Sequence, residues 1–446
     1  MTLTVSDVRN FRSGGKEPMQ QTSYFAGWLI DGTGSPAQQD ILIRVENGLI
    51  SSLEKLSSLE KLSSLKKRSS LENANLVELK GLGLTVEAYP TCTILPGLID
   101  CHVHLSMSGK VDQRLRFRQL MNEFAQNSPL ICQRIEKSLA LGIMALRDGG
   151  DIGGHTLKYI KQNSPSGVDV KCAGKGWRAS GRYGKIIGRV PESGSTLAQS
   201  IRANLDVIDH IKIINSGINS LNEFGRETPP QFNRDELEAA FKDARDLGLK
   251  TMVHANGKLP VQFGVEAGCD SIEHGFFMGE DNMKRMADRQ VFWVPTAFTM
   301  KAMRAYMPAG SAQSVAASRI LEAQLEQMGR ARELGVRLAA GTDAGSFGVR
   351  HGIALAEELK LMIEAGFSVE EAICCATSQG ARLLGLEHEF GRLGRGMPAN
   401  FLIVDGPPSS LPDSLGEVKA VYVRDKRISP KACHSESAAA ALPNLI

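Results

Sequence analysis

Apolar and polar positions along this chain fall into two textures. Between Tyr24 and Ile50, short apolar runs are broken by turn residues. Phe25 to Ile30 leads to Asp31-Gly32-Thr33-Gly34, and Gln39 to Val45 is followed by Glu46-Asn47-Gly48 and Leu49-Ile50. Asn-Gly between apolar runs predicts a β-hairpin, so a small β unit precedes the rest. After Pro96, short strand-like runs alternate with longer helical windows. Runs at 93–105, 142–147, 168–173, 207–214, 249–255, 271–274, 291–295 and 337–343 predict eight strands. Windows at 234–247 and 317–334 predict two of the helices between them, the first capped by Asn233 or Asp235. Eight strands alternating with helices predict an α/β fold, a (β/α)₈ TIM barrel whose active site lies at the C-terminal strand ends.

A hexapeptide interrupts the β unit. Ser51-Ser52-Leu53-Glu54-Lys55-Leu56 recurs from residue 57 and decays through 63–68 and 69–74. Leucines three apart drift around a helix and hold no single face. Residues 51–74 therefore read as a low-complexity insertion looped out of a hairpin and kept solvated by Ser, Lys and Glu.

The polar residues of the predicted strands carry the chemistry. His102 and His104 alternate at the end of the first strand and so share a face. Lys212 lies in the fourth strand, where Ile211 and Ile213 facing the helices would leave His210 and Lys212 toward the barrel axis. His254, His274 and Asp343 close the fifth, sixth and eighth strands. A lone histidine is more often a satisfied core or loop residue; convergence from five strand ends is the signal. These are metal-ligand residue types. An inward lysine is costly as an ammonium, and its neutral amine can combine with carbon dioxide into a carbamate whose two oxygens could bridge two metals.

Composition adds mainly exclusions. The 446 residues carry a formal net charge of +3 with 23% charged residues, and no basic block points to nucleic acid. No apolar run approaches the roughly 20 residues of a membrane span. Met1 to Gln21 is polar, without the apolar stretch of a signal peptide. The eight cysteines are scattered without a CxxC pair, which suits reduced thiols and a cytoplasmic setting. Cys101, Cys269, Cys374 and Cys375 read as small apolar residues.

The segments 96–104 (Pro-Gly-Leu-Ile-Asp-Cys-His-Val-His), Ile211-Lys212-Ile213, Val253-His254-Ala255, Ile272-Glu273-His274-Gly275, Gly341-Thr342-Asp343-Ala344-Gly345 and 394–405 resemble the amidohydrolase superfamily of metal-dependent hydrolases. The Lys212 motif is most similar to the prolidase-like branch. The resemblance implies a barrel at 97–389 and a small discontinuous β-sandwich from both chain ends, at 22–96 and 390–428, with tails at 1–21 and 429–446. It implies two divalent metals, zinc in most relatives. His102, His104 and Asp343 would hold one and His254 and His274 the other, with carboxylated Lys212 between. Asp343 would take a proton from a metal-bridging water and pass it to the leaving nitrogen. The segment 174–184 departs from the family pattern. There Arg178, Arg182 and Tyr183 are candidates for a substrate carboxylate, and Arg350 and His351 are further candidate contacts. The reaction implied is hydrolysis of the amide of a dipeptide, N-acyl amino acid or related small molecule. Cyclic-amide hydrolysis, deamination of a heterocycle and a non-enzymatic scaffold are the alternatives. The expected partners are a small-molecule substrate and further copies of the chain, with neither nucleic acid nor membrane.

Overall fold

Gly97 separates two strands that the apolar run 93–105 presents as one. Leu84–Pro96 belongs to a terminal sheet, and Leu98–Val103 opens the barrel. A Cβ on Gly97 would lie 2.2 Å from the Met144 sulfur, so the chain passes from one sheet to the other where no side chain fits. The computed structural model describes residues 21–58, 77–79, 84–205 and 207–428. The tails predicted at 1–21 and 429–446 lie outside these residues apart from Gln21, as do hexapeptide residues 59–74.

The terminal sheet has eight strands. In spatial order they are Lys426–Ile428, Val418–Val423, Phe401–Asp405, Leu84–Pro96, Gln21–Leu29, Gln38–Glu46 and Leu49–Lys55, with Val77–Leu79 also on Leu84–Pro96. The two chain ends are tied by hydrogen bonds from Tyr24 Oη and Thr22 Oγ1 to the Asp425 carboxylate, at 2.6 and 2.9 Å. The sheet has its own core, in which the Tyr24 ring packs edge-on against Phe401 and Tyr422.

The predicted hairpin turns at Asn47 and Gly48, both at positive φ, 53° and 78°. Its second strand runs further than the sequence suggests. Ser51 to Lys55, most of the first hexapeptide, pairs antiparallel with the strand Gln38–Glu46 and is not looped out. The register runs Val45↔Ile50 and then Arg44↔Ser52, so Ser51 is an extra residue, a β-bulge. The bulge resets the alternation and lets Ile50 and Leu53 both pack on the sheet's core.

All eight predicted barrel strands form, at Leu98–Val103, Ile143–Asp148, Asp169–Cys172, His210–Ile214, Lys250–Ala255, Ser271–His274, Phe292–Val294 and Arg337–Leu338. The first three make one parallel ladder. The last five make another, extended by Gly176–Trp177 and Gly188–Arg189. Two seams close the ring. Asp209 N–H donates to Cys172 O at 3.0 Å, and Cys101 N–H to Ala340 O at 2.9 Å, beside a parallel bridge between Val103 and Ala344. The predicted helix 234–247 spans Arg234–Asp246, with Asn233 as its N-cap in a capping box with Glu236. It buries Leu237, Ala240, Phe241 and Ala244, the i, i+3, i+4, i+7 stripe of a helix on a barrel wall. The second predicted helix extends further, over Ala312–Glu333. Among the described residues no helix is long and apolar enough to cross a membrane, and the seven described cysteines are free.

Candidate metal centre

Strand alternation carries the first ligand pair. His102 and His104 both turn to Asp343, with Nε2 atoms 3.6 and 3.3 Å from its Oδ1, and the three donors form a cluster of metal-binding dimensions. The His274 ring centroid lies 5.0 Å from that of His102 and 4.6 Å from that of His254. Lys212 is 1% exposed, and its charge acts on His102, His254 and His274. The structure thus gathers all six predicted ligand residues at one end of the barrel.

Each imidazole spends one nitrogen on the surrounding protein. His102 Nδ1 pairs with Glu273 Oε2 at 2.8 Å, His104 Nδ1 with Gly150 O at 2.8 Å, His274 Nδ1 with Thr296 Oγ1 at 2.7 Å, and His254 Nε2 with Gly217 O at 3.1 Å. The other nitrogen of each ring is left for the shared space, as metal-binding histidines require. Burial pushes His102 well down, His254 to about 4 and His274 to about 3, all toward the neutral, ligating form. Burial also opposes charge on His104 and Asp343, but the hydrogen bond between them overcomes it, raising the imidazole and holding the carboxyl well below its usual range. Burial lowers Lys212 to about 8, and its Nζ has no hydrogen-bond partner among the described residues. Four oriented imidazoles, a carboxylate and an unpartnered buried amine fit divalent metal ions.

Sequence reasoning left Glu273 without a role. Consecutive residues on a regular strand face opposite sides, yet Glu273 and His274 both reach His102. His274 sits at φ 68°, in the left-handed region, and turns its side chain back into the lumen. Glu273 also accepts from Arg147 Nη2 at 2.8 Å and Ser271 Oγ at 2.5 Å, while Arg147 Nε and Nη1 donate to Cys101 O and Ser271 Oγ. The available signal was a pair of opposite charges, Arg147 and Glu273, inside two strands that are buried throughout.

The candidate substrate contacts divide. Arg178 donates to Gly188 O at 3.0 Å and Ala179 O at 3.1 Å, and Arg182 to Pro229 O at 2.7 Å. Both guanidiniums therefore serve backbone carbonyls, of the short strand Gly188–Arg189 and of loops, that need donors. His351 is buried, with Nε2 2.8 Å from Met107 O and its pKa pushed down to about 3 by burial. Its Nε2 is thus taken up by a backbone carbonyl. Tyr183 is 37% exposed, yet its ring lies 5.4 Å from that of His254, and burial of the hydroxyl followed by the Asp343 charge raises its pKa. Arg350 is half-buried beside Gly109.

The closed barrel thus carries at its strand mouths a set of donors of the kind that can hold a metal ion. The model of the Amidohydrolase family matches residues 93–428, and the chain belongs to that family. It is 22% identical over 437 residues to ochratoxinase from Aspergillus niger, covering 90% of this chain and 84% of that protein. It is 24% identical over 362 residues to imidazolonepropionase from Polaromonas sp., covering 70% and 74%. Among solved structures, a Xaa-Pro dipeptidase with bound methionine in the active site aligns at TM-score 0.72 and 24% identity, over 92% of this chain and 100% of that one.

Proposed function

We propose that the chain is a binuclear metal hydrolase that cleaves the amide bond of a dipeptide, an N-acyl amino acid or a related small molecule. The observation that supports this most is Lys212, a buried amine with no partner, lowered to about 8 and set among four imidazoles and Asp343. A mononuclear deaminase has no use for that amine. As the free base, Lys212 adds to carbon dioxide, forming an N–C bond and releasing one proton, and gains two oxygens that share one negative charge. His102, His104 and Asp343 would hold one ion and His254 and His274 the other, with the Lys212 carbamate shared. When bound, two divalent ions, zinc by the chemistry of the donors, polarise the scissile carbonyl and lower the pKa of the attacking water.

The protein's own groups do the rest. Asp343 accepts the water's proton and returns it to the leaving nitrogen. Its other oxygen is held by Ser346 Oγ at 2.8 Å. Glu273 keeps the His102 ring oriented, and through Arg147 it is itself fixed. Tyr183, kept protonated by burial, is the donor at hand for the carbonyl oxygen.

Cyclic-amide hydrolysis is the second reading, favoured by the likeness to imidazolonepropionase. One experiment separates them: metal analysis of the zinc-loaded protein, then turnover on dipeptides, N-acyl amino acids and cyclic amides. Two metals per chain with turnover of the open-chain amides is the expected result. Turnover of cyclic amides alone would move the assignment to the second reading, and one metal per chain would remove the shared carbamate.

A further inference from the structure

Arg178 and Arg182 give most of their donors to backbone carbonyls, and a carboxylate-bearing substrate has another cation to meet. One is placed for it on the helix Gln113–Met121, which follows the first barrel strand and buries none of its residues. Its neighbours Arg114 and Arg118 are exposed, but Arg116 is half-buried. Arg116 Nη1 donates to Gly345 O at 2.9 Å and to Lys110 O at 3.2 Å. Gly345 lies against the metal cluster, because a Cβ there would come 2.6 Å from His104 O and 3.1 Å from His104 Cβ. Gly345 is also two residues from Asp343. The Arg116 guanidinium is thus anchored at the rim of the cluster by a single nitrogen.

No carboxylate pairs with Arg116 among the described residues, and Asp343 is the one charge that acts on it. Burial already lowers its pKa. A half-buried guanidinium without an anionic partner is costly unless an anion arrives from outside. The anchoring carbonyls occupy Nη1 and leave Nε and Nη2, the two donors of a fork that matches a carboxylate.

We propose that Arg116 reads the carboxylate of the substrate, so that the hydrolase selects amides whose leaving amine carries an acid. This rests on the open-chain amide reading given above. Here Gly345 O both fixes the fork and ties it to the loop that bears Asp343, so the recognised acid and the proton-transferring carboxylate keep a constant spacing.

The test uses the zinc-loaded full chain and two probes, N-acetylmethionine and its C-terminal amide. Binding is followed by calorimetry and turnover by amine release. In the wild type the acid should bind more tightly than the amide. Arg116→Met should weaken the acid roughly 10- to 100-fold, as expected for loss of a charge-assisted contact, and leave the amide unchanged. KM for the acid should rise with kcat within about threefold, because the chemistry is not touched. Arg116→Lys should recover part of the loss, and Arg114→Met, an exposed control on the same helix, should show none.

A wild type that binds the acid no better than the amide overturns the proposal. So does a preference that survives in Arg116→Met, or an equal loss on both probes, which would mean that Arg116 only supports the Gly345 loop. An Arg116-dependent preference without turnover of either probe would remove N-acyl amino acids from the proposed substrates and leave Arg116 as the acid reader.

Discussion

Two buried cations share the barrel lumen under opposite conditions. Arg147 has a partner at each of its three nitrogens, from Cys101 O, Ser271 Oγ and Glu273 Oε1. Among the described residues Lys212 Nζ has none, and His210, next but one along the same strand, has no side-chain partner either. Burial is nearly complete on both sides, with Arg147 at 3% and Lys212 at 1% exposure. Desolvation therefore does not distinguish them; partners do. A buried charge whose partners all come from the chain is held by them and is costly to strand. A buried amine whose partners are missing from the chain costs stability and awaits something else. Arg147 shapes the site through Glu273 and His102, whereas Lys212 is available to be changed chemically.

The sharpest way to break this contrast is to remove Lys212. Lys212→Ala should lose at least one metal and lower turnover by about 10²–10³-fold or more. Acetate or propionate should restore part of both by supplying two oxygens in the vacated space. Lys212→Arg should not recover, because a guanidinium forms no carbamate. Full metal content and near-normal turnover in Lys212→Ala would remove the distinction.

Next comes the satisfied side. Glu273→Gln leaves Arg147 without its anion and should cost about 3–5 kcal/mol in denaturant unfolding. It also weakens the acceptor of His102 Nδ1, and metal affinity should fall about 10- to 100-fold. Unchanged stability would mean that the pair is not what holds Arg147.

A third test concerns a carboxyl that has hydrogen bonds yet no cation. Glu358 accepts from Ala297 N–H at 3.0 Å and Phe298 N–H at 2.8 Å, but burial still raises it to about 8. The folded protein keeps this proton where the unfolded chain, near its ordinary 4.5, has lost it. Its contribution is therefore full below about pH 4.5 and falls as pH rises to about 8. Glu358→Gln should flatten the pH dependence of stability of the metal-free protein over that window, and an unchanged slope would assign it to Asp100 or Asp148, raised to about 7 and 6. The smallest effect is expected at His210. His210→Leu should change stability by no more than about 1 kcal/mol, since burial already keeps the imidazole neutral and at most one hydrogen bond is lost.

The barrel was legible in the sequence because its strands obey simple alternation. Ile211 and Ile213 pack in the core shared with the helices, and Lys212 faces the other way. His102 and His104 fall two apart and meet one carboxylate. Where alternation is interrupted, legibility ends. His274 at φ 68° turns back to join Glu273 in the lumen, and the bulge at Ser51 draws the first hexapeptide into a strand. The loop arginines were opaque for a different reason. Whether a guanidinium meets a ligand or a carbonyl depends on which backbone groups a distant loop leaves unpaired, as Pro229 O does for Arg182. Arg116 carries no local signal at all, since Arg114 and Arg118 flank it with the same charge and only burial tells them apart.

The terminal sheet also sets a timetable. Leu84–Pro96 is flanked on one side by Gln21–Leu29 and on the other by Phe401–Asp405, which lies about 300 residues later. At ribosomal speeds of ~5–20 residues/s, roughly 15–60 s separate the two. Throughout that interval the nascent chain holds an open strand edge at Cys92 to Pro96, the residues that later pair with Phe401 to Asp405. The whole barrel, metal ligands included, must be made before that edge can close. Slow translation between these points lengthens the exposure, so the yield of folded enzyme becomes a question of synthesis rate as well as of sequence.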